Sequence, residues 1–371
     1  MVSPLGPRDA AAAIANTAAG GGLRLTDAQA LQLLRDADML QLGAAASAMR
    51  DRLHPGRAVT FIVDRNVNYT NVCVSGCRFC AFYRDADAPD AYVLSPEALY
   101  EKVEETIALD GTAILLQGGM HPDLPLEWYE GMLRELKARY PIHVHGFGPP
   151  EIHHLSKLSG LTPTEVLRRL RDAGLDSLPG GGAEILVDRV RGHVSPKKAT
   201  SDQWLDVMRD AHRLDISTTA TMMFGGTETV EERVEHLRRV REVQDEAVAA
   251  GHVGFRAFIP WSFQPGNTDL ESEAAVAASG WEYLRILAVS RLYLDNVTNI
   301  QASWVTQGGK IGQLALCWGA NDMGSTMIEE NVVAAAGTRF MLAREELVRL
   351  VRDAGFTPVQ RDTLYREVRR F

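Results

Sequence analysis

Asn68-Tyr69-Thr70-Asn71-Val72-Cys73-Val74-Ser75-Gly76-Cys77-Arg78-Phe79-Cys80-Ala81-Phe82-Tyr83-Arg84 carries three of the chain's four cysteines, spaced CxxxCxxC. A tetrahedral zinc site takes four ligands, so three thiolates leave it one short. An iron–sulfur cluster is as a rule also held by four cysteines. Three thiolates on a cubane therefore leave one iron free to bind something else. The alternative is a zinc knuckle completed by a histidine or by Cys317. Three buried, unligated thiols this close together are the weakest reading, because reactivity rather than packing decides where cysteine is kept.

This stretch follows directly on Ala58–Val63, which is rich in β-branched and aromatic residues and reads as a strand. Before it, His54-Pro55-Gly56 ends a helix around Gln41–Arg52. An earlier helix starts at the N-cap Thr26, with Ala28, Leu31, Leu33 and Leu34 at helical spacing. Residues 1–22 read as a loose tail. They have Ala-rich and Gly-rich pieces but no basic end leading into an apolar run, so they do not read as a signal peptide.

After the cysteines, helices and strands alternate. Helix Pro96–Ala108 precedes strand Thr112–Leu116, and helix Leu126–Arg139 precedes strand Ile142–Phe147. Helix Pro163–Ala173 leads to a strand near Leu175–Leu178, Asp202–Leu214 to Ile216–Phe224, and Thr229–Ala250 to Gly254–Pro260. Helix Ala274–Leu294 leads to strand Val297–Ser303. A last unit gives strand Leu314–Trp318, which carries Cys317 as a structural residue, and helix Ser325–Ala336. Eight such repeats predict an α/β fold, a parallel sheet closed into a (β/α)8 TIM-type barrel over residues 57–340. No GxGxxG follows the first strand, which counts against an open doubly wound sheet. Residues 1–56 form an N-terminal tail and helices. Residues 341–371 add a helix (Arg344–Ala354) and a basic, partly extended tail packed on the barrel.

Composition narrows the class. Of the 371 residues 46% are hydrophobic and 23% charged, ordinary values for a globular chain with a sizeable core. A net charge of −9 argues against broad contact with a nucleic-acid backbone. Four cysteines in a chain this long make no disulfide framework. No apolar stretch reaches the ~18 residues that span a bilayer. A soluble cytoplasmic protein with a small-molecule substrate, and neither nucleic acid nor membrane as partner, is the expectation.

Barrels of this kind place their sites at the carboxyl ends of the strands. The second strand ends in Gln117-Gly118-Gly119-Met120-His121-Pro122, where paired glycines let a ligand approach the backbone. The third ends in His145-Gly146-Phe147-Gly148-Pro149-Pro150-Glu151. Here His145 is a catalytic base or a barrel-mouth histidine. Glu151 is a second candidate base, or a helix N-terminal carboxylate favoured by the macrodipole. Gly180-Gly181-Gly182 precedes Glu184, placed to bond an ammonium or ribose hydroxyls; Lys197 or Arg209 is then placed to pair with a carboxylate, or is a solvated helix charge. Trp261, Gln264 and Asn267 after strand six suit a flat polar substrate, and Ser303 lies at the end of strand seven. Asn321 lies in the Gly319–Thr326 turn, read as an anion-binding turn before a helix. The acidic Asp322 beside it favours a carboxylate or hydroxyl over phosphate.

CxxxCxxC with an aromatic, Phe79, before its last cysteine resembles the radical S-adenosylmethionine (SAM) superfamily. The resemblance implies a 4Fe–4S cluster on Cys73, Cys77 and Cys80 whose free iron chelates SAM. It implies that the Gln117-Gly118-Gly119 turn receives the SAM amino group. Where many members have Gly-Gly-Glu, this chain has Gly-Gly-Met, which leaves backbone carbonyls as acceptors. Asn-Tyr-Thr-Asn-Val-Cys, Cys-Ala-Phe-Tyr-Arg, Leu-Gln-Gly-Gly-Met-His-Pro, Gly-Gly-Gly-Ala-Glu-Ile-Leu and Gln-Ala-Ser-Trp together resemble the cyclic dehypoxanthine futalosine synthase family of menaquinone biosynthesis. Tyr69 and Phe82-Tyr83-Arg84 favour this family, and Tyr69 is expected at the substrate. The resemblance implies that a 5′-deoxyadenosyl radical takes the ribose C4′ hydrogen of dehypoxanthine futalosine and that the sugar radical adds to the benzoate ring. It also implies an external one-electron donor such as flavodoxin or ferredoxin. The alternatives are aminofutalosine synthase or another enzyme of the same group and, from a different class, a non-catalytic iron–sulfur or zinc module.

Overall fold

The computed structural model describes residues 6–273, 277–338 and 340–371. Three helices come first: α1 (Pro7–Ala19), α2 (Asp27–Asp36) and α3 (Met39–Leu53). The expectation of a loose tail is corrected from residue 7 onward; residues 1–5 lie outside the described residues. Ala11, Ala15, Ala18 and Ala19 are buried, so the Ala-rich piece is a close-packing helix face. Thr26 caps α2 in a reciprocal box with Gln29.

Strand β1 (Ala58–Ile62) breaks at Val63 and resumes as β2 (Asp64–Val67). Then follow α4 (Pro96–Ala108), β3 (Ala113–Leu116), α5 (Leu126–Arg139), β4 (His143–Gly146), α6 (Pro149–Ser159) and α7 (Pro163–Ala173). The chain continues through β5 (Ser177–Leu178), α8 (Asp188–Val194), α9 (Ser201–Arg213), β6 (Ser217–Phe224), α10 (Val230–Ala249) and β7 (Phe255–Ser262). Next come α11 (Gly280–Tyr293), β8 (Asn299–Ile300), α12 (Trp304–Ala315) and β9 (Asp322–Ser325). Of the helix expected over 274–294, residues 274–276 lie outside the described residues and 277–279 are not helical, so the start is corrected to Gly280, behind the cap Ser279. Ser95, Thr162, Thr200, Thr229 and Ser279 each cap the helix that follows them, which is why the first four of these helices start within a residue of where sequence spacing predicts.

Strands β2 to β8 pair in chain order, all parallel. The ring closes through β9. Asn321 N–H donates to Ile300 O at 3.1 Å and Ala302 N–H to Asp322 O at 2.8 Å, joining β9 to β8. On its other side Thr60 N–H donates to Asn321 O and Thr326 N–H to Ile62 O, both at 3.0 Å. The eight-stranded barrel is therefore present, but its eighth strand is Asp322–Ser325 and not Leu314–Trp318. That apolar run finishes α12 and turns through a 3-10 segment, Leu316–Trp318, with Cys317 exposed. Cys317 therefore stands on a surface turn and on no barrel strand. In place of a helix over 325–336 there is only a short one, α13 (Val332–Ala335).

The C-terminal segment gives α14 (Arg344–Asp353), β10 (Thr357–Arg361) and β11 (Glu367–Arg370). Strand β10 pairs parallel with β1 and antiparallel with β11. Because β1 contacts both β9 and β10, the extension joins the barrel wall through main-chain hydrogen bonds. Arg361 donates to both carboxylate oxygens of the buried Asp322, at 2.6 and 3.0 Å. Among the described residues no helix is long and apolar enough to cross a membrane.

Candidate active site

Two adjacent cavities occupy the barrel. One, of about 250 Å³, is lined by Cys73, Cys77 and Cys80 together with Phe79, Gly118, Gly119, Glu151, Glu184 and Lys198. The other, of about 310 Å³, is lined by Asp64, Asn66, His145, Thr219, Ser303, Ser325 and Arg361, among others. Gln117, Gly181, Gly182, Trp261 and Val332 border both.

The cysteine loop is held by its own backbone. Cys73 N–H donates to Arg84 O at 3.1 Å, Arg84 N–H to Asn71 O at 2.8 Å, and Val74 N–H to Met120 O at 3.0 Å. The Arg84 guanidinium donates to the carbonyls of Ala81, Phe82 and Tyr83. Burial pushes the Cys73 and Cys80 thiols up from their ordinary range. Among the described residues no three His, Cys, Asp or Glu side chains converge on one ion position; the three thiols share a cavity instead. This donor set, three cysteines beside a half-buried lysine, fits a cluster with one non-protein corner.

Gly119 has to be glycine. An added Cβ would lie 2.0 Å from the carbonyl oxygen of Val72. At Gly118 it would meet the Tyr69 ring at 2.6 Å. Tyr69 is buried beneath this turn and donates to Glu151 Oε1 at 2.6 Å. It lines neither cavity, so the expected substrate contact is corrected: Tyr69 supports the glycine turn and Glu151. The Glu151 carboxylate also accepts from Gly148 N–H at 2.7 Å and Gly118 N–H at 3.2 Å. Burial raises its pKa to about 7, against the lowering effect of these donors. Glu151 faces the cysteine cavity, His145 the other.

Glu184 stands where the three glycines predict, with φ of 42°. Its partner is Lys198, 2.7 Å away, not Lys197, which is exposed and lines neither cavity. Lys198 also lies over the Phe79 ring, 5.1 Å from its centroid. Burial works against the Lys198 charge, yet the neighbouring Cys77 and Glu184 outweigh it and raise its pKa. Arg209 is likewise outside the site, paired on the outer helices with Glu246 at 2.6 Å and Asp206 at 3.1 Å. Sequence reasoning missed Arg191, whose buried guanidinium donates to the carbonyls of Gly182, Ala183 and Ala199 and so ties the glycine turn to the Lys198 segment.

In the second cavity His145 is neutral: burial lowers its pKa to about 3, helped by His143 and Arg361. Asp64 is raised to about 6 by burial and accepts from the Ser325 hydroxyl. Trp261 and Ser303 line this cavity. Gln264, Asn267 and Asn321 do not. Gln264 folds back on Ser262 and accepts from Thr338. Asn267 is exposed and donates to Ala335 O. Asn321 is consumed by the ring closure, accepting from Arg291 at 2.6 Å and Ile300 N–H at 2.9 Å. Because the residues around it form β9, the Gly319–Thr326 stretch offers no helix N-terminus to an anion. The extension instead contributes Arg361, Thr363 and Tyr365 to the cavity lining.

The Radical SAM superfamily model matches residues 67–240, and the CofH/MqnC C-terminal region model matches residues 252–370. The chain is similar to the cyclic dehypoxanthine futalosine synthase of Halalkalibacterium halodurans, with 45% identity over 94% of this chain and 93% of that one. Similarity to the Streptomyces coelicolor protein of the same name is 44% over 95% and 87%. The 5-amino-6-(D-ribitylamino)uracil–L-tyrosine 4-hydroxyphenyl transferase of Methanopyrus kandleri is 42% identical over 88% and 93%. In fold the chain is similar to the FeFe-hydrogenase maturase HydG from Carboxydothermus hydrogenoformans, at a TM-score of 0.75 and 16% identity, covering 97% of this chain and 81% of that one. A three-cysteine cavity inside the superfamily match, and identity spread over nearly both full lengths, place the chain in the radical SAM superfamily and, within it, in the family of the cyclic dehypoxanthine futalosine synthases.

Proposed function

We propose that the protein is the radical SAM cyclase that converts dehypoxanthine futalosine to its cyclic product in menaquinone biosynthesis. The observation that carries this reading is the pair of contiguous cavities, one lined by three cysteines and the other by His145, Thr219, Ser303 and Arg361 among others, meeting at Gln117, Gly181, Gly182 and Trp261. Cys73, Cys77 and Cys80 hold the 4Fe–4S cluster, which with SAM supplies a carbon radical able to take hydrogen from a sugar.

This chain's residues do the rest. The Glu184–Lys198 pair and the Gly118–Gly119 backbone orient the polar groups of SAM at the cysteine side. Trp261 forms a wall common to both cavities, so the hydrogen donor in the second is held next to the first. Holding the reacting carbons in contact matters because an unguided primary radical attacks whatever is nearest. His145, neutral and facing the second cavity, takes the proton that the benzoate ring must lose on regaining aromaticity. An external one-electron donor of the flavodoxin or ferredoxin type, a cytoplasmic location, and a division into an N-terminal cap (1–56), barrel (57–340) and extension (341–371) belong to the same reading.

The test is substrate deuterated at C4′. The cyclase delivers deuterium into 5′-deoxyadenosine and yields a spirocyclic product two hydrogens lighter than its substrate. Adenosyl carbon found covalently in the product instead assigns the chain to the aminofutalosine synthase reaction.

A further inference from the structure

His145 uses one ring nitrogen inside the protein. Its Nδ1 lies 2.7 Å from Ser177 Oγ, and its Nε2 is left to the cavity it lines. The same Ser177 Oγ lies 2.7 Å from His143 Nε2. His143 and His145 are two residues apart on β4 and so share a face, while Ser177 is the register partner of His145 on β5. A hydroxyl has one hydrogen. Placed between two imidazole nitrogens at this distance, it donates to one and accepts from the other, so the three side chains form a directional chain.

We propose that His145, Ser177 and His143 are a proton exit from the second cavity: His145 Nε2 accepts a proton from substrate, its Nδ1–H passes to Ser177, and the Ser177 hydroxyl hydrogen passes to His143 Nε2. This rests on the cyclase reading. There, after the new carbon–carbon bond has formed, the C–H bond at the attacked ring carbon breaks. Its electron pair joins the ring and its proton goes to His145. The unpaired electron leaves to a one-electron acceptor, the oxidised iron–sulfur centre. His145 is a poor place for the charge to remain, because desolvation, His143 and Arg361 all disfavour its cation. His143 is half-buried like His145 but, unlike it, has the carboxylates of Asp176 and Asp362 near it, with Lys137 and Arg366 also close. The relay moves the charge from a site that cannot hold it toward carboxylates at the amino end of the strand. Ser177 and His143 are positioning residues; only His145 touches substrate.

The decisive variants are Ser177→Ala, which breaks the chain, and Ser177→Thr, which keeps the hydroxyl. In holoenzyme labelled with ¹⁵N-histidine, without substrate, His145 is expected as the Nδ1–H tautomer, with that signal lost or shifted in Ser177→Ala and retained in Ser177→Thr. In turnover, Ser177→Ala is expected to make 5′-deoxyadenosine but at least about tenfold less spirocycle per 5′-deoxyadenosine, a smaller loss than the roughly hundredfold or more that a general base itself contributes, because Ser177 acts through His145. Ser177→Thr restores the ratio. An Nε2–H tautomer at His145, or a product ratio untouched in Ser177→Ala, overturns the relay. If wild-type protein makes no spirocycle, the cyclase reading fails, and the tautomer measurement still decides whether the chain exists.

Discussion

The Lys198 ammonium sits 2.7 Å from Glu184 Oε1 inside the cysteine-lined cavity, with side-chain exposures of 15% and 3%. A pair this enclosed is costly to break from one side, because the remaining charge stays buried without a partner. Lys198→Met is expected to lower stability by ~3–5 kcal/mol and to weaken SAM binding at least about tenfold, the worth of one charge-assisted hydrogen bond. Lys198→Met combined with Glu184→Gln should recover most of the stability and none of the binding. Lys197→Ala should change neither. Thermal unfolding and equilibrium SAM binding check these outcomes, and a SAM affinity unchanged in Lys198→Met removes the pair from the cofactor site.

Ligation separates the four cysteines. Cys77 is buried in the cavity, whereas Cys317 is exposed on the turn after α12. Cys77→Ala is expected to abolish iron binding and SAM cleavage together, and Cys317→Ala to leave both intact. Anaerobic iron and sulfide content with cluster absorbance gives the answer.

Most of the barrel was legible because its middle strands alternate with helices that announce their starts, as Thr162 with Glu165 and Thr200 with Gln203 do. The eighth strand was not. Asp322-Met323-Gly324-Ser325 has no apolar alternation, and Asp322 is buried by Arg361, a partner 39 residues further on. Leu314–Trp318 is an apolar run too short for periodicity to tell strand from helix, and three glycines (Gly308, Gly309 and Gly312) obscured the helix before it. In the site, cysteine spacing and the glycine triplet marked the cofactor side. Lys198 was missed by one position because a loop has no period to fix which side chain turns inward. Arg191 left no sequence signal, since its partners are main-chain carbonyls.

The Arg361–Asp322 pair anchors the C-terminal strand to the last barrel strand with side-chain exposures of 6% and 0%. Removing the cation strands a buried carboxylate beside Asp64. Arg361→Ala is expected to cost ~3–5 kcal/mol, seen as a lower unfolding midpoint in denaturant. Arg366→Ala, whose partner Asp362 is reached from an exposed position, should stay within ~1 kcal/mol. Equal losses in the two variants would show that the extension gains nothing from the buried pair.

Glu151 makes stability depend on pH in a direction opposite to an ordinary salt-bridged acid. Its pKa is raised to about 7 in the folded protein, while in the unfolded chain it returns to the usual carboxyl value near 4.5. Below the lower value both states are protonated and the folded state bears no penalty. Between the two values the unfolded chain ionises first and is favoured, so stability falls as pH rises toward 7 and levels off above it. A shift of this size corresponds to roughly 3 kcal/mol. Glu151→Gln cannot ionise, so the stability of wild type relative to this variant should decline by up to that amount between pH 4.5 and 8. The raised Asp64 is present in both proteins and cancels from the difference. Denaturant unfolding of both proteins across this range checks it. A flat difference, or one that grows with pH, would show that the donors Tyr69, Gly118 and Gly148 hold Glu151 ionised, and would remove it as a group able to exchange a proton near neutral pH.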